Sequence, residues 1–167
     1  PTRAVEETWP PLEAALVAAG AGSRNSLAAA IATVAIETAS TFRPVREAYW
    51  LYDANRAAAY AYYADTTKHA VYHGGPEFHG RGLIQTTHDY NYVAVLGPVP
   101  ADPSEHHLWA DQLLQPGPAV TAFCRYWQAR GIAEMADRED WAAVRRAVQG
   151  GSAGLDRLVS IVRALLR

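Results

Sequence analysis

The sequence predicts a single, mainly α-helical domain over residues 1–167. Half of these residues are hydrophobic, so the chain is long and apolar enough to bury one core. Most apolar residues recur at helical spacing, in segments bounded by cap residues, prolines or glycines. Only residues 72–86, which are rich in glycine, are predicted to form an irregular insert of loop and short strand.

The helical segments follow one another with short connections. The first is expected to enter through Pro10 and Pro11 and to end at Gly20. The second has Asn25 or Ser26 as its predicted N-cap. Asp137 is the predicted N-cap of the helix that stops at Gly150 and Gly151. The predicted helices cover residues 9–20, 25–40, 46–64, 88 onwards, 118–131, 138–149 and 155–167.

The second predicted helix is the most apolar, and it is expected to be central. Leu27, Ile31 and Val34 share one of its faces, while Ile36 lies opposite. A helix that is apolar on both sides is typically buried within a domain.

Charge and cysteine content narrow the class of protein. The net charge is −2 and the isoelectric point is near 6.3, which indicates neither nucleic-acid nor polybasic membrane binding. No apolar run reaches the roughly 20 residues that span a bilayer. Cys124 is the only cysteine, so no internal disulfide is possible, and a buried, inert thiol in a protein made in the cytosol is expected. Because the chain begins with Pro1, we interpret it as a mature form or an excised domain.

Glu37 is the first candidate catalytic residue. It lies near the end of an otherwise Ala-, Ile- and Val-rich helix. Burial there would favour the protonated carboxyl group that a general acid needs. The alternative is a structural glutamate paired with Arg43 or Arg46.

Glu47 follows ten residues later, just past Pro44. Glycoside hydrolysis commonly uses two carboxyl groups, roughly 6.5–9.5 Å apart for inversion and about 5 Å apart for retention. The alternative is a solvated glutamate in the first turn of the next helix.

The segment "FHGRGLIQTTHDYNY", residues 78–92, could be a phosphate-binding loop, a metal site or the floor of a substrate groove. It lacks the phosphate-loop pattern, and the chain's histidines 69, 73, 79 and 88 match no metal-binding spacing. If "LIQTT" is extended, Gln85 and Thr87 point the same way and offer an amide and a hydroxyl to a sugar or a water.

Three segments resemble family 19 glycoside hydrolases, the chitinase and phage endolysin family. "HGRGLIQTTHDYNY" is similar to the signature G-R-G-x-x-Q-[LT]-[ST]-x-x-x-N-Y, and "AIETASTF" to the catalytic H-E-[ST]-x-x-F segment. "DWAAVRRAVQGGSAGLDRL" resembles the C-terminal "INGG…GLADR" segment. The resemblance extends over residues 25–160 in order.

The resemblance implies a lysozyme-like, two-lobed helical fold with a central substrate groove. It makes Glu37 the general acid and Glu47 the second carboxylate, while Thr87 helps to hold the attacking water. Arg81 is expected to be structural. The expected substrate-binding residues are Gln85, Asn91, Tyr49, Tyr92 and Gln149.

The chain departs from the family pattern at several positions. Ile36 replaces a histidine, and Gln149 replaces the asparagine of "NGG". Ala39 and Ser40 replace a glycine pair. Glu77, just before the motif, is a rival for the second carboxylate.

The single cysteine and compact layout favour a phage or bacterial lysin over a plant-type chitinase. The predicted function is hydrolysis of the β-1,4 bond of peptidoglycan glycan strands, as an N-acetylmuramidase. A chitinase, an inactive cell-wall-binding module and a zinc amidase are the alternatives. We expect no cofactor or metal, a monomer excised from a larger modular lysin, and synthesis in the host cytoplasm without a signal peptide, followed by action on the bacterial cell wall.

Overall fold

The computed structural model describes residues 2–65, 67 and 71–167, so Pro1 and His69 lie outside the described part. Helix makes up 67% of the structure, which confirms the mainly α-helical prediction. The α-helices are α1 Arg3–Ala18, α2 Arg24–Glu37, α3 Tyr49–Ala54, α4 Arg56–Ala64, α5 Asp89–Leu96, α6 His106–Ala110, α7 Pro116–Ala129, α8 Ile132–Asp137, α9 Trp141–Gln149 and α10 Leu155–Leu166. Short 3₁₀ helices cover Pro76–Phe78, Pro103–Glu105 and Asp111–Leu114.

The chain divides into two compact units. The first combines Pro1–Arg43 with Phe123–Arg167, and the second is the continuous segment Pro44–Ala122. Among the described residues, no helix is both long enough and apolar enough to span a membrane.

Helix α2 is the central element of the first unit, as its sequence predicts. Residues on every side of it are buried, and it packs against α1, α8, α9 and α10. Trp127 of α7 is fully buried, stacks on Phe123 at 5.0 Å, and donates its Nε1–H to Ser26 Oγ at 3.1 Å. This hydroxyl therefore ties the start of α2 to α7.

The predicted caps of α2 and α9 were wrong by a few residues. Ser23 caps α2, because its Oγ accepts the backbone N–H of Ser26. Asp140 caps α9 by accepting the N–H of Ala143. Asp137 is instead the last residue of α8.

The predicted start of the first helix was also wrong. Helix α1 begins at Arg3, and Pro10 and Pro11 lie inside it. Its buried residues are spaced by four along the chain, so one continuous stripe packs inward despite the two missing N–H donors. These buried residues are Ala4, Thr8, Leu12 and Leu16.

The second unit contains a two-stranded antiparallel sheet with two residues in each strand. Strand β1, Val45–Arg46, pairs with β2, Arg81–Gly82, with Val45 opposite Gly82 and Arg46 opposite Arg81. Two buried clusters flank it. One is formed by Phe78, Tyr92, Trp109, Ala110, Leu113 and Ala122, and the other by Ala48, Ala59, Tyr63 and Tyr72.

The two-stranded sheet carries a buried ionic network. Asp111 accepts hydrogen bonds from Arg46 Nη2 at 2.6 Å and from Arg81 Nε at 2.8 Å. Arg81 is fully buried, as expected for a structural residue, and its Nη1 also donates to the Glu77 carbonyl. The network fixes β1 and β2 to the 3₁₀ helix that begins at Asp111.

His79 completes this network as a neutral side chain. Burial, reinforced by the nearby Arg81 charge, lowers the pKa of His79 to about 2. Its Nδ1–H therefore donates to the Pro76 carbonyl at 2.8 Å, and its Nε2 accepts from Arg46 Nη1 at 3.3 Å. Its ring stacks on Tyr63 at 3.7 Å.

The prediction that "LIQTT" is extended was wrong. Only Arg81 and Gly82 are strand, and the following residues form a turn that an isolated bridge between Arg81 and Thr86 closes. Gln85 has a φ of 52°, which breaks the alternation of sides on which the prediction relied.

Candidate functional site

Glu37 lies in the first unit, as the last residue of α2. Its side chain is 14% exposed, and Oε1 accepts a hydrogen bond from Arg145 Nη1 at 2.6 Å. No donor among the described residues contacts Oε2. The ion pair therefore orients the carboxyl group, while its second oxygen remains available.

Arg145 is the residue of the candidate site that sequence reasoning missed. It lies on the inward face of α9 with Trp141, Val144 and Val148, and its side chain is 6% exposed. Its Nε donates to the Ala153 carbonyl at 2.5 Å, which fixes the guanidinium. The signal was an arginine at an apolar position of a helical stripe.

Glu37 is ion-paired, as the structural alternative predicted, but the two arginines named for that pair were wrong. Arg46 pairs with Asp111 in the second unit. Arg43 is exposed, and its backbone N–H donates to Thr41 Oγ1. The partner comes instead from 108 positions further along the chain.

The residues that follow Glu37 adopt left-handed backbone conformations. Ala39 has a φ of 49° and Ser40 a φ of 65°, at the two positions where the family pattern has glycines. The Ser40 N–H bonds to the Ala35 carbonyl at 2.7 Å, which closes the end of α2. This conformation costs a non-glycine residue about 1–2 kcal/mol.

Replacing Ala39 with Gly is expected to stabilise the protein by about 0.5–1 kcal/mol, because the relief of backbone strain outweighs the added freedom of the unfolded chain. Ala39 is exposed, so no packing is lost. Urea denaturation would measure the change. Ala14→Gly, at an exposed position inside α1, should instead destabilise by about 1 kcal/mol. A loss of stability in both variants would contradict the prediction.

Glu47 lies in the second unit, between β1 and α3. Its backbone N–H donates to the Gly80 carbonyl at 2.8 Å, and its Oε2 accepts the Gly80 N–H at 2.9 Å. Its Oε1 accepts the Tyr72 hydroxyl at 2.8 Å, and its carbonyl accepts the Tyr63 hydroxyl at 2.6 Å. Both carboxylate oxygens are therefore held by donors.

The alternative interpretation of Glu47, as a solvated glutamate in the first turn of a helix, was wrong. Helix α3 begins only at Tyr49, and Ala48 separates the two with a left-handed φ of 48°. Glu47 is half-buried. Its backbone instead continues the pairing of β1 with the segment around Gly80.

Gln85 lies beside Glu47. A Cβ atom on Gly80 would be 2.6 Å from Gln85 Oε1 and 3.1 Å from Glu47 Oε2. The amide Nε2 of Gln85 donates to the Val45 carbonyl at 3.1 Å. The absence of a side chain at Gly80 thus lets both polar groups approach the same point, and Gln85 Oε1 has no donor among the described residues.

The other predicted site residues of the second unit have different surroundings. Asn91 and Thr87 are half-buried, and Asn91 Nδ2 donates to the Thr87 carbonyl at 2.8 Å. Tyr49 is 44% exposed and contacts the edge of Trp50, which is 68% exposed. The assignment of Tyr92 to substrate binding was wrong: its side chain is fully buried, and its hydroxyl bonds to Arg81 and to the His79 carbonyl.

Two further candidates complete the set. Gln149 is exposed at the end of α9, one turn beyond Arg145. Glu77, the rival second carboxylate, is half-buried and accepts the Tyr60 hydroxyl through Oε2 at 2.6 Å. In the part of the chain that the structure describes, no three His, Cys, Asp or Glu side chains group as metal ligands would.

Comparison with known proteins adds no further assignment. No family model, curated protein or solved structure matches the chain.

Proposed function

We propose that the protein is a peptidoglycan hydrolase of the family 19 glycoside hydrolase type, cleaving the β-1,4 bond of the N-acetylated glycan strand as an N-acetylmuramidase. The observation that carries the proposal is the burial and hydrogen bonding of the two carboxylates that the resemblance selects. Glu37 and Glu47 are each partly buried, and each is oriented by specific donors. Glutamates with purely solvated roles would not need such partners.

Glu37 is the proposed general acid. Protonated at Oε2, it would donate to the glycosidic oxygen as the bond breaks, while Arg145 keeps Oε1 in place. Donation leaves Glu37 as a carboxylate beside Arg145. The proton that the second carboxylate takes from the attacking water is released to solvent, and Glu37 takes up a solvent proton before the next turnover.

Glu47 is the proposed partner that activates water. Donors hold both of its oxygens, so the carboxylate is oriented to accept a proton from an attacking water. The proposed sugar contacts are the free Oε1 of Gln85, the side chains of Thr87 and Asn91, and the exposed ring of Tyr49. Gln149 is proposed as a contact beside the Glu37 site.

Mass spectrometry of the fragments released from purified peptidoglycan tests the proposal. We expect fragments with N-acetylmuramic acid at the new reducing end, since this sugar is the product of muramidase cleavage. Chitin oligomers should be poor substrates, and chelators should leave the rate unchanged. Turnover of chitin alone would show a chitinase, loss of activity with chelators would show metal chemistry, and binding without release would show an inactive module. Each result would overturn the proposal.

A further inference from the structure

We infer that Tyr72 is a positioning residue for Glu47, and that this contact makes Glu47 rather than Glu77 the second carboxylate. The inference rests on the proposed function and specifies which groups carry out its water-activating step. Tyr72 is 8% exposed, so its hydroxyl acts on the reaction through Glu47.

The second unit contains two tyrosine–glutamate pairs that invite comparison. Tyr72 donates to Glu47 Oε1 at 2.8 Å, and Tyr60 donates to Glu77 Oε2 at 2.6 Å. Burial and the neighbouring carboxylate raise the pKa of Tyr72, and they raise the pKa of Tyr60 to about 12. Both hydroxyls therefore keep their protons, and act as donors, across the pH range in which a hydrolase is assayed.

The two glutamates differ in how completely they are held. Glu47 is bonded at four points: through Oε1 to Tyr72, through Oε2 and its N–H to Gly80, and through its carbonyl to Tyr63. The side chain of Glu77 has one donor among the described residues, namely Tyr60. A group that must accept a proton in a fixed direction needs the first arrangement, because small misplacements are costly in catalysis.

The charged groups near Glu47 pair with other residues, so Tyr72 is its principal side-chain partner. Arg46, the preceding residue, and Arg81 both pair with Asp111. The Tyr63 hydroxyl is directed to the Glu47 carbonyl, and the Gln85 amide donates to Val45. Removing the Tyr72 hydroxyl therefore takes away the one side-chain hydrogen bond to this carboxylate among the described residues.

A matched pair of variants, Tyr72→Phe and Tyr60→Phe, tests the inference. Each removes one hydroxyl and keeps the ring. For Tyr72→Phe we expect kcat to fall about ten-fold, the size of one hydrogen bond to a charged group. KM should stay constant because this hydroxyl touches no sugar. Tyr60→Phe should leave both kcat and KM unchanged.

Three outcomes would overturn the inference. A larger effect of Tyr60→Phe would transfer the role to Glu77. Equal effects, or a loss of stability without a fall in the kcat of the folded enzyme, would show that the Tyr72 contact is only structural.

A second readout separates failure of the inference from failure of the proposed function. The carboxyl ¹³C chemical shift of Glu47 reports its hydrogen bonding without any substrate, and it should change in Tyr72→Phe and stay constant in Tyr60→Phe. A wild-type protein that releases no fragments would refute the proposed function, while the NMR result would still decide whether Tyr72 holds Glu47. An unchanged chemical shift in Tyr72→Phe would refute the inference.

Discussion

Replacing Asp111 with Ala should lower the free energy of unfolding by about 3–5 kcal/mol. Its two oxygens accept hydrogen bonds from two arginines, Arg46 and Arg81, which are 8% and 0% exposed. Neither guanidinium reaches water easily, so removal of the carboxylate leaves two buried positive charges uncompensated. The loss is a large fraction of the 5–15 kcal/mol that typically separates folded from unfolded domains.

Urea denaturation monitored by tryptophan fluorescence would measure this loss. Asp53→Ala is a suitable control, because Asp53 is exposed on α3 in the same unit. That variant should change stability by less than about 0.5 kcal/mol. If Asp111→Ala lost no more than this control, the network would not be a main source of stability.

Replacing Glu37 with Gln should lower kcat for peptidoglycan about 10²–10⁴-fold, which is the usual contribution of a general acid. Glutamine keeps the size of the side chain and can still accept a hydrogen bond from Arg145. It cannot deliver a proton to a leaving oxygen. Binding to insoluble peptidoglycan should persist, because the substitution removes a reacting group and leaves the proposed sugar contacts in place.

A comparison with Arg145→Gln separates catalysis from stability. Both substitutions break the same ion pair, so both should lower the free energy of unfolding. Only Glu37→Gln removes the acid itself, and it should therefore lose far more activity when both proteins are folded. Glu6→Gln, on the exposed face of α1, is the control and should match the wild type. Equal activities for the Glu37 and Arg145 variants would show that Glu37 is only structural.

Local patterns predicted much of the helical structure. The apolar periodicity of α2 and its central position followed from residues close together in sequence, and the structure confirms both. The start of α1 did not follow, because a stripe of buried residues overrides the local penalty of Pro10 and Pro11. The turn at Gln85 was also missed, since a non-glycine residue with positive φ gives no signal in a hydrophobic pattern.

Such local patterns could not predict the partners of the candidate carboxylates. Arg145 lies 108 positions from Glu37, and Gly80 lies 33 positions from Glu47. Spacing along one helix or strand fixes only nearby contacts, whereas these pairs depend on how separate elements pack. The sequence could therefore single out two candidate glutamates, but not the groups that orient them.

The division of the chain into one continuous and one interrupted unit bears on the order of folding during synthesis. Helix α2 leaves the ribosome long before α8, α9 and α10, the helices on which it packs. Segment 44–122 is fully synthesised before these helices, so it can fold while the rest of the chain is still being translated. The apolar α2 completes its packing only after α8, α9 and α10 have been synthesised.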